Sequence, residues 1–231
     1  MPVFECKDLS KSYGSLPALN HVSLTVEPGR VVGLLGPNGS GKTTLIKLAN
    51  GLLTPDGGEL LIDGKRPGVE TKKLVSYLPE RTYFADWMSV TRLLDFFCDF
   101  YADFDREHAR EMLSRLGISE KQHIKEMSKG TREKVQLIMV MSRKALLYLL
   151  DEPIGGVDPA TRDYIIGTII GNYNPEASVI ISTHLIADVE QALDDVIFIN
   201  QGQIALRSSV DDIREKNGKS VDALFREVFK C

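Results

Sequence analysis

Eight consecutive residues, Gly36-Pro37-Asn38-Gly39-Ser40-Gly41-Lys42-Thr43, have the types and spacing to hold a chain of phosphates. The glycines let backbone N–H groups turn inward around anionic oxygens, and a helix that starts immediately afterwards points its positive end at the same oxygens. Lys42 can neutralise charge at the β and γ positions, and the Thr43 hydroxyl can enter a Mg²⁺ shell, which leaves Thr44 for a nearby phosphate. A glycine-rich turn that merely contains a lysine has the same composition. Context separates the two. Residues 31–35 read Val-Val-Gly-Leu-Leu, as expected of a strand buried on both faces, and residues 44–50 read as helix. The chemistry implied is recognition of a nucleoside triphosphate.

A second group lies more than a hundred residues further on. Residues 146–150, Leu-Leu-Tyr-Leu-Leu, run directly into Asp151-Glu152-Pro153. A buried parallel strand delivers its carboxyl end to the edge of the sheet where ligands gather. Asp151 there can hold Mg²⁺ through a water, so that the ion bridges the β and γ oxygens. Glu152 can face a water in line with the γ-phosphate, as general base or as water-positioner.

The elements that must position these groups follow from the pattern of apolar residues. Alternation over residues 22–26 and 59–62 predicts strands, the second ending in the hairpin turn signal Asp63-Gly64. From about residue 88 to 141 the texture is helical, with Ala109, Met112, Leu113 and Leu116 on one stripe and Gly117 as a stop. After residue 145 strand and helix alternate again over residues 146–150, 159–170, 179–182, 185–193 and 196–200. Two short strands meet across Gln201-Gly202, and the tail predicts a helix with Val221, Leu224, Phe225, Val228 and Phe229 on one face, packed on its own domain. The result is an α/β chain with a helical lobe inserted in its middle third.

Length and composition narrow the class. The 231 residues are 43% hydrophobic and 26% charged with a net charge of −4, which suits a folded core and excludes a mainly disordered chain. No apolar run approaches the ~18 residues that a membrane-spanning helix needs, and the first residues lack the basic start and apolar stretch of a signal peptide. Cys6, Cys98 and Cys231 are too scattered for a disulfide framework and fit a reducing compartment. A sequence pI near 5.6 argues against wide nucleic-acid binding, and no direct nucleic-acid partner is expected. The expectation is a cytoplasmic globular protein.

Taken in order along the chain, these motifs resemble the nucleotide-binding subunit of ATP-binding cassette (ABC) transporters. Tyr13 stands where that family has an aromatic that stacks on adenine, although an aromatic in a loop also serves packing. The phosphate loop, a helical lobe, a signature segment (Met127-Ser128-Lys129-Gly130-Thr131), the acidic strand, the turn Gly156-Val157-Asp158-Pro159 and Ser182-Thr183-His184 then follow. The resemblance implies a P-loop NTPase fold with a RecA-like, mostly parallel core sheet, an antiparallel β subdomain and an inserted α-helical subdomain. It divides a single domain, 1–231, into an antiparallel β subdomain with the phosphate loop (1–80), a helical signature subdomain (81–143), a core sheet with acidic strand and His switch (144–208) and C-terminal helices (209–231). The activity implied is hydrolysis of ATP with Mg²⁺, by an ATP-sandwiched dimer with a second copy or a paralogous ABC subunit. That dimer powers a separate transmembrane permease from the inner face of the cell membrane.

Residue by residue, the resemblance assigns Ser128, Gly130 and Asp158 to nucleotide binding, His184 to the γ-phosphate and the attacking water, and Lys42 to phosphate charge. Ser128 also reads as a plain cap of a helix running from Thr131 onward. Segments 127–131 and 154–158 look most like those of bacterial drug and peptide exporters. Two departures stand out. The glutamine that links sheet to lobe is Glu80 here; a carboxylate can bind Mg²⁺ but cannot donate a hydrogen bond as an amide does. Lys129 and Thr131 replace a glycine and a glutamine of the signature, and Lys129 either adds charge beside the γ-phosphate or faces solvent.

Of nine Phe, seven Tyr and one Trp, eight fall between residues 83 and 104. Some must pack the lobe; Tyr83, Phe84 and Trp87, nearest Glu80, are the expected contacts for a permease. Other functions remain open to this sequence: a non-transport ABC ATPase, a small P-loop kinase with the lobe as lid, and a nucleotide-gated binding module with little turnover.

Overall fold

The computed structural model describes residues 1–172 and 176–229. The first part of the chain gives β1 (Phe4–Tyr13), β2 (Leu16–Val26), β3 (Val31–Leu35), α1 (Lys42–Ala49), β4 (Gly57–Ile62), α2 (Val69–Leu74) and β5 (Val75–Leu78). The lobe follows with α3 (Val90–Phe100), α4 (Arg106–Arg115), a 3-10 turn (Ile124–Glu126) and α5 (Lys129–Met141). The last part comprises β6 (Leu147–Asp151), α6 (Pro159–Asn172), β7 (Ser178–Thr183), α7 (Ile186–Val189), a second 3-10 turn (Glu190–Ala192), β8 (Asp195–Asn200), β9 (Gln203–Ser209), α8 (Val210–Asn217) and α9 (Val221–Phe229).

Two sheets result. Strands β2, β1 and β4 form a three-stranded antiparallel sheet, and six strands in the order β5-β6-β7-β3-β8-β9 form the central one. All neighbours in the central sheet are parallel except the β8–β9 hairpin at its edge. Every residue of β3, β6 and β7 is buried, which is why their middles run apolar without alternation, the buried polar residues Asp151, Ser178, Ser182 and Thr183 standing at the strand ends. The register aligns Leu34 of β3 with Ser182 of β7, and Ser182 with Asp151 of β6. The carboxyl ends of three adjacent strands therefore stop in one row, and each continues into one of the motifs read from the sequence.

Three hydrophobic clusters fill the molecule. One face of the central sheet packs against α5, α6 and the tail helices, and the other against α1 and the antiparallel sheet. The third cluster lies wholly within the lobe, built on Leu93, Leu94, Phe97, Leu113, Ile138 and Met139. The lobe is joined to the sheet through Leu137, Val140 and Met141 of α5 and through the polar contacts of Arg143. Only 3% of its side chain is exposed; its guanidinium donates to Asp103 of the lobe at 3.0 and 3.1 Å, to Lys73 O at 2.9 Å and to Val75 O, and it lies 3.9 Å from the ring of Tyr101. A further tie holds the tail: Glu190 accepts from Val221 N at 3.0 Å and Asp222 N at 3.3 Å, capping α9.

Most expected elements are present, with corrections. Tyr13 ends a strand and does not lie in a loop, because β1 continues to the turn at Gly14. Residues 69–74, within the span 1–80 that the resemblance assigns to the antiparallel β subdomain, form α2. Residues 185–193 form a four-residue helix and a 3-10 turn in place of one helix. The helix capped by Ser128 begins at Lys129, two residues before Thr131. Asp63 and Gly64 both adopt positive φ (49° and 71°) as the turn signal requires, but the returning strand pairs only through Ile62 and Lys65. In the tail helix Val221, Leu224 and Phe225 are buried and Phe229 packs on them, whereas Val228 is 38% exposed and off the buried stripe. Cys231 lies outside the described residues.

Arg143 generates a stability prediction. Arg143→Ala leaves Asp103 and two backbone carbonyls without their buried cation, which costs about 3–5 kcal/mol. Urea denaturation of wild type and variant measures it, and a difference below about 1 kcal/mol would show that the lobe is held by other contacts.

Candidate nucleotide site

The row of strand ends opens onto a groove of about 1000 Å³, lined by Tyr13, Asn38 to Thr44, Glu80, Lys129, Glu152 and His184 among others. Its floor is the phosphate loop. Two of the loop's glycines are dictated by crowding: a Cβ at Gly36 would lie 2.3 Å from Ile199 O, and one at Gly41 would lie 2.5 Å from Ala18 O, with φ of +113°. Gly39 has φ of +79° in open space, so its demand is conformational alone. Gly41 in this left-handed conformation starts α1.

Lys42 is buried and folds back along the loop. Its Nζ donates to Gly36 O at 2.7 Å and Pro37 O at 3.2 Å, and it stands 3.5 Å from Glu152 Oε1. Burial pulls its pKa below the usual lysine value, against the pull of Glu152, Asp151 and Glu80. Gly36 and Pro37 therefore contribute carbonyls to the lysine from beneath the groove.

Asp151 ends β6 with 1% of its surface exposed. One oxygen, Oδ1, accepts from Ser182 Oγ at 2.5 Å and from Thr43 Oγ1 at 3.1 Å. The other, Oδ2, is buried without a hydrogen-bond partner. Burial raises the carboxyl pKa, opposed by those two hydroxyls. A buried carboxylate oxygen left open beside a threonine hydroxyl fits Mg²⁺, a hard cation that takes one or two protein oxygens and completes its shell with water and phosphate. Consistent with that sparse demand, no cluster of three His, Cys, Asp or Glu able to cage a metal occurs among the described residues.

Glu152, the next residue, adopts φ of +49°, a conformation a non-glycine side chain enters only when the surroundings impose it. Its backbone N–H, donating to Ser182 O at 2.9 Å, supplies part of that constraint. The turn throws its side chain into the groove, where Oε2 lies 3.0 Å from His184 Nδ1. With Glu152 ionised, Nδ1 carries the proton and donates. The carboxylate is thereby oriented from one side by His184 and from the other by Lys42. Glu80 is exposed on the far wall, and Tyr13, 48% exposed, stands with Leu16 and Ala18 at the rim.

Three residues with expected roles lie apart from the groove lining. Ser128 is exposed and caps α5, accepting from Thr131 N at 3.1 Å and sharing a hydrogen bond with Thr131 Oγ1 at 2.8 Å. Asp158 caps α6 by accepting from Thr161 N at 3.0 Å and Thr161 Oγ1 at 2.6 Å, bonds that hold its carboxyl below the ordinary pKa. Gly130 rests against the same pair, with a Cβ there falling 3.6 Å from Thr161 Oγ1 and 3.9 Å from Asp158 Oδ2. In the single chain they form one small cluster where the amino ends of α5 and α6 meet.

Sequence reasoning gave no role to Ser182, nor to Glu133, which lines the groove. Ser182 was in view as part of the Ser182-Thr183-His184 run, but its bond to Asp151 depends on strand register.

A glycine-loop between a parallel strand and a helix, at the carboxyl edge of such a sheet, defines a P-loop nucleoside triphosphatase. The sequence profile of the ABC transporter family matches residues 19–155. The chain is 31% identical over 219 residues to the ABC transporter ATP-binding protein YtrB of Bacillus subtilis, covering 93% of this chain and 74% of that protein. It is 31% identical over 210 residues to the SkfA peptide export ATP-binding protein SkfE of the same organism, covering 88% of each. A solved ATP-binding subunit of an ABC transporter superposes with a TM-score of 0.87 at 29% identity, covering 98% of this chain and 99% of that one. The chain belongs to the ABC transporter family, as an ATP-binding subunit, and the activity of that family is hydrolysis of ATP to power transport.

The loop geometry separates its glycines. Gly41→Ala should destabilise the fold by about 3 kcal/mol or more, since strain and a backbone clash combine, whereas Gly39→Ala should cost only about 1 kcal/mol. Chemical denaturation of the two variants tests this, and equal losses would contradict it.

Proposed function

We propose that this chain binds ATP with Mg²⁺ in the groove, closes on a second cassette as an ATP sandwich, and drives a separate membrane permease in the direction of export. The observation that carries the reading is the convergence of Lys42, the Thr43–Asp151–Ser182 set and the Glu152–His184 pair at one row of strand ends. Phosphate oxygens entering the loop replace the Gly36 and Pro37 carbonyls as partners of Lys42. Mg²⁺ held by Thr43 and Asp151 would neutralise charge on the β and γ oxygens. Glu152, aimed by its φ and by His184, takes the proton of the attacking water as general base, and His184 holds the carboxylate in line. Tyr13 offers its face to the adenine at the rim.

The sandwich explains why Ser128, Gly130 and Asp158 cluster away from their own groove. An exposed helix start with free N–H groups suits the γ-phosphate of nucleotide on a facing subunit. Among the described residues no helix is long and apolar enough to cross a membrane, and the proposed transport path belongs to the separate permease. The chain would then sit in the cytoplasm, against the inner membrane face. Tyr83 and Trp87, 52% and 61% exposed beside Glu80, form the surface offered to that permease, while Phe84 turns partly into the lobe core. Export is supported by segments 127–131 and 154–158 and by the likeness to a peptide-export protein.

Light scattering on purified Glu152→Gln tests the sandwich. Mass should double with Mg²⁺-ATP and not with Mg²⁺-ADP, and Ser128→Arg should abolish the doubling. A persistent monomer that still binds ATP would overturn the homodimer and require a different second cassette. Glu80→Gln tests the substituted glutamine: because a carboxylate brings negative charge to a cation and an amide does not, the variant should show a changed dependence of ATPase rate on Mg²⁺ against Mn²⁺. Superimposable profiles would exclude Glu80 from the metal's surroundings.

A further inference from the structure

Five residues of the groove wall, Glu80, Thr82, Glu133, Glu152 and Gly155, also line a second and much smaller space. This cavity measures about 20 Å³ and lies between α5 and the turn that carries Glu152 and Pro153. It has room for one water molecule. Gln136 of α5 stands in its wall.

Gln136 is out of keeping with its surroundings. Residues 135–141 of α5 are all buried, and the other six are Val, Leu, Ile and Met. Its side-chain amide Nε2 donates to Pro79 O, just past β5, at a long 3.5 Å. A carbonyl can only accept, so this contact fixes which end of the amide is nitrogen and leaves Oε1 as the other end. Oε1 is buried without a hydrogen-bond partner, in a residue 2% exposed. An acceptor left so is unfavourable, and an apolar side chain of the same length would avoid the loss. The oxygen is accounted for by a donor that enters the cavity.

Glu152 supplies the other half of the site. Its side chain is 11% exposed, with Oε2 held by His184 and Oε1 3.5 Å from Lys42 Nζ. A carboxylate offers about four acceptor positions, so two remain, and bulk solvent reaches them poorly. The other two carboxylates of the wall are provided for: Glu80 is exposed to solvent, and Glu133 stands 3.8 Å from Lys129 Nζ. A ligand with two donors that fits about 20 Å³ is water.

We propose that the cavity binds one ordered water, which donates to Gln136 Oε1 and to the Glu152 carboxylate, and that Gln136 is thereby a positioning residue for the general base. The lobe, to which α5 belongs, bears on the hydrolytic carboxylate through this water. The role rests on Glu152 being the base, as proposed above; the site itself does not.

X-ray diffraction from crystals of wild type and Gln136→Met tests the site, and steady-state ATPase assays test the role. Wild type should show water density within about 3 Å of Oε1, and the variant should show none. Gln136→Met and Gln136→Leu, which differ in shape but both remove the oxygen, should each lower kcat roughly five- to tenfold with KM within about twofold of wild type. Both should keep a urea midpoint close to that of wild type. Unchanged kcat in the two variants overturns the positioning role, and a protein donor on Oε1 in place of water overturns the site. Rate losses matched by early unfolding in urea would make Gln136 a packing residue, and overturn the role as well. A wild-type chain without ATPase activity would instead overturn the reading of Glu152 as base, with the density at Oε1 still deciding the site.

Discussion

A carboxylate held at the end of a fully buried strand, with one oxygen satisfied and one left open, is the constraint around which this molecule is arranged. Asp151 cannot be solvated where it sits, so its neighbours must answer for its charge. Ser182 and Thr43 answer for one oxygen only, and they come from two other segments of the chain. That single arrangement fixes the register of β6 against β7 and the approach of α1, and it leaves an opening that only a cation can fill well. The packing of the sheet and the chemistry of the groove are thus the same fact seen from two sides.

The neighbouring residue shows how the rest of the structure maintains an unfavourable local geometry. Glu152 in a left-handed conformation persists because its N–H is bonded to β7. The carboxylate is then presented between Lys42 and His184, at a distance that an extended backbone would not give. Stability built into the two cores on either side of the sheet is what holds this strain in place.

How much of this could be read beforehand depended on range. The phosphate loop and the acidic pair were legible because each lies in a short run whose flanking pattern declares strand or helix, whereas His184 was marked out by the resemblance. Runs such as 31–35 and 146–150 were plain because burial on both faces removes every polar residue. The role of Ser182 was not legible, since it arises from register between strands, which no local pattern specifies. Arg143 is equally silent in sequence: an arginine after an amphipathic helix reads as a surface residue until Asp103, Tyr101 and the carbonyls of Lys73 and Val75 surround it. The four-residue helix after His184 was read as longer because Leu185 to Leu193 keeps an apolar rhythm that the 3-10 turn interrupts. Gly130 and Asp158 were read as nucleotide-binding through the resemblance; in the single chain neither lines the groove, although Lys129 beside Gly130 does.

The order of strands in the central sheet has a consequence for synthesis. β3, which launches the phosphate loop, has no neighbour from its own third of the chain: its partners are β7 and β8, from residues 178–183 and 195–200. While a ribosome is making the protein, the loop is complete as sequence long before it has a sheet to stand on. Until the last fifth of the chain has emerged, Val31 to Leu35 is an unpaired apolar segment, and nascent chains of intermediate length are the ones that need shelter from aggregation.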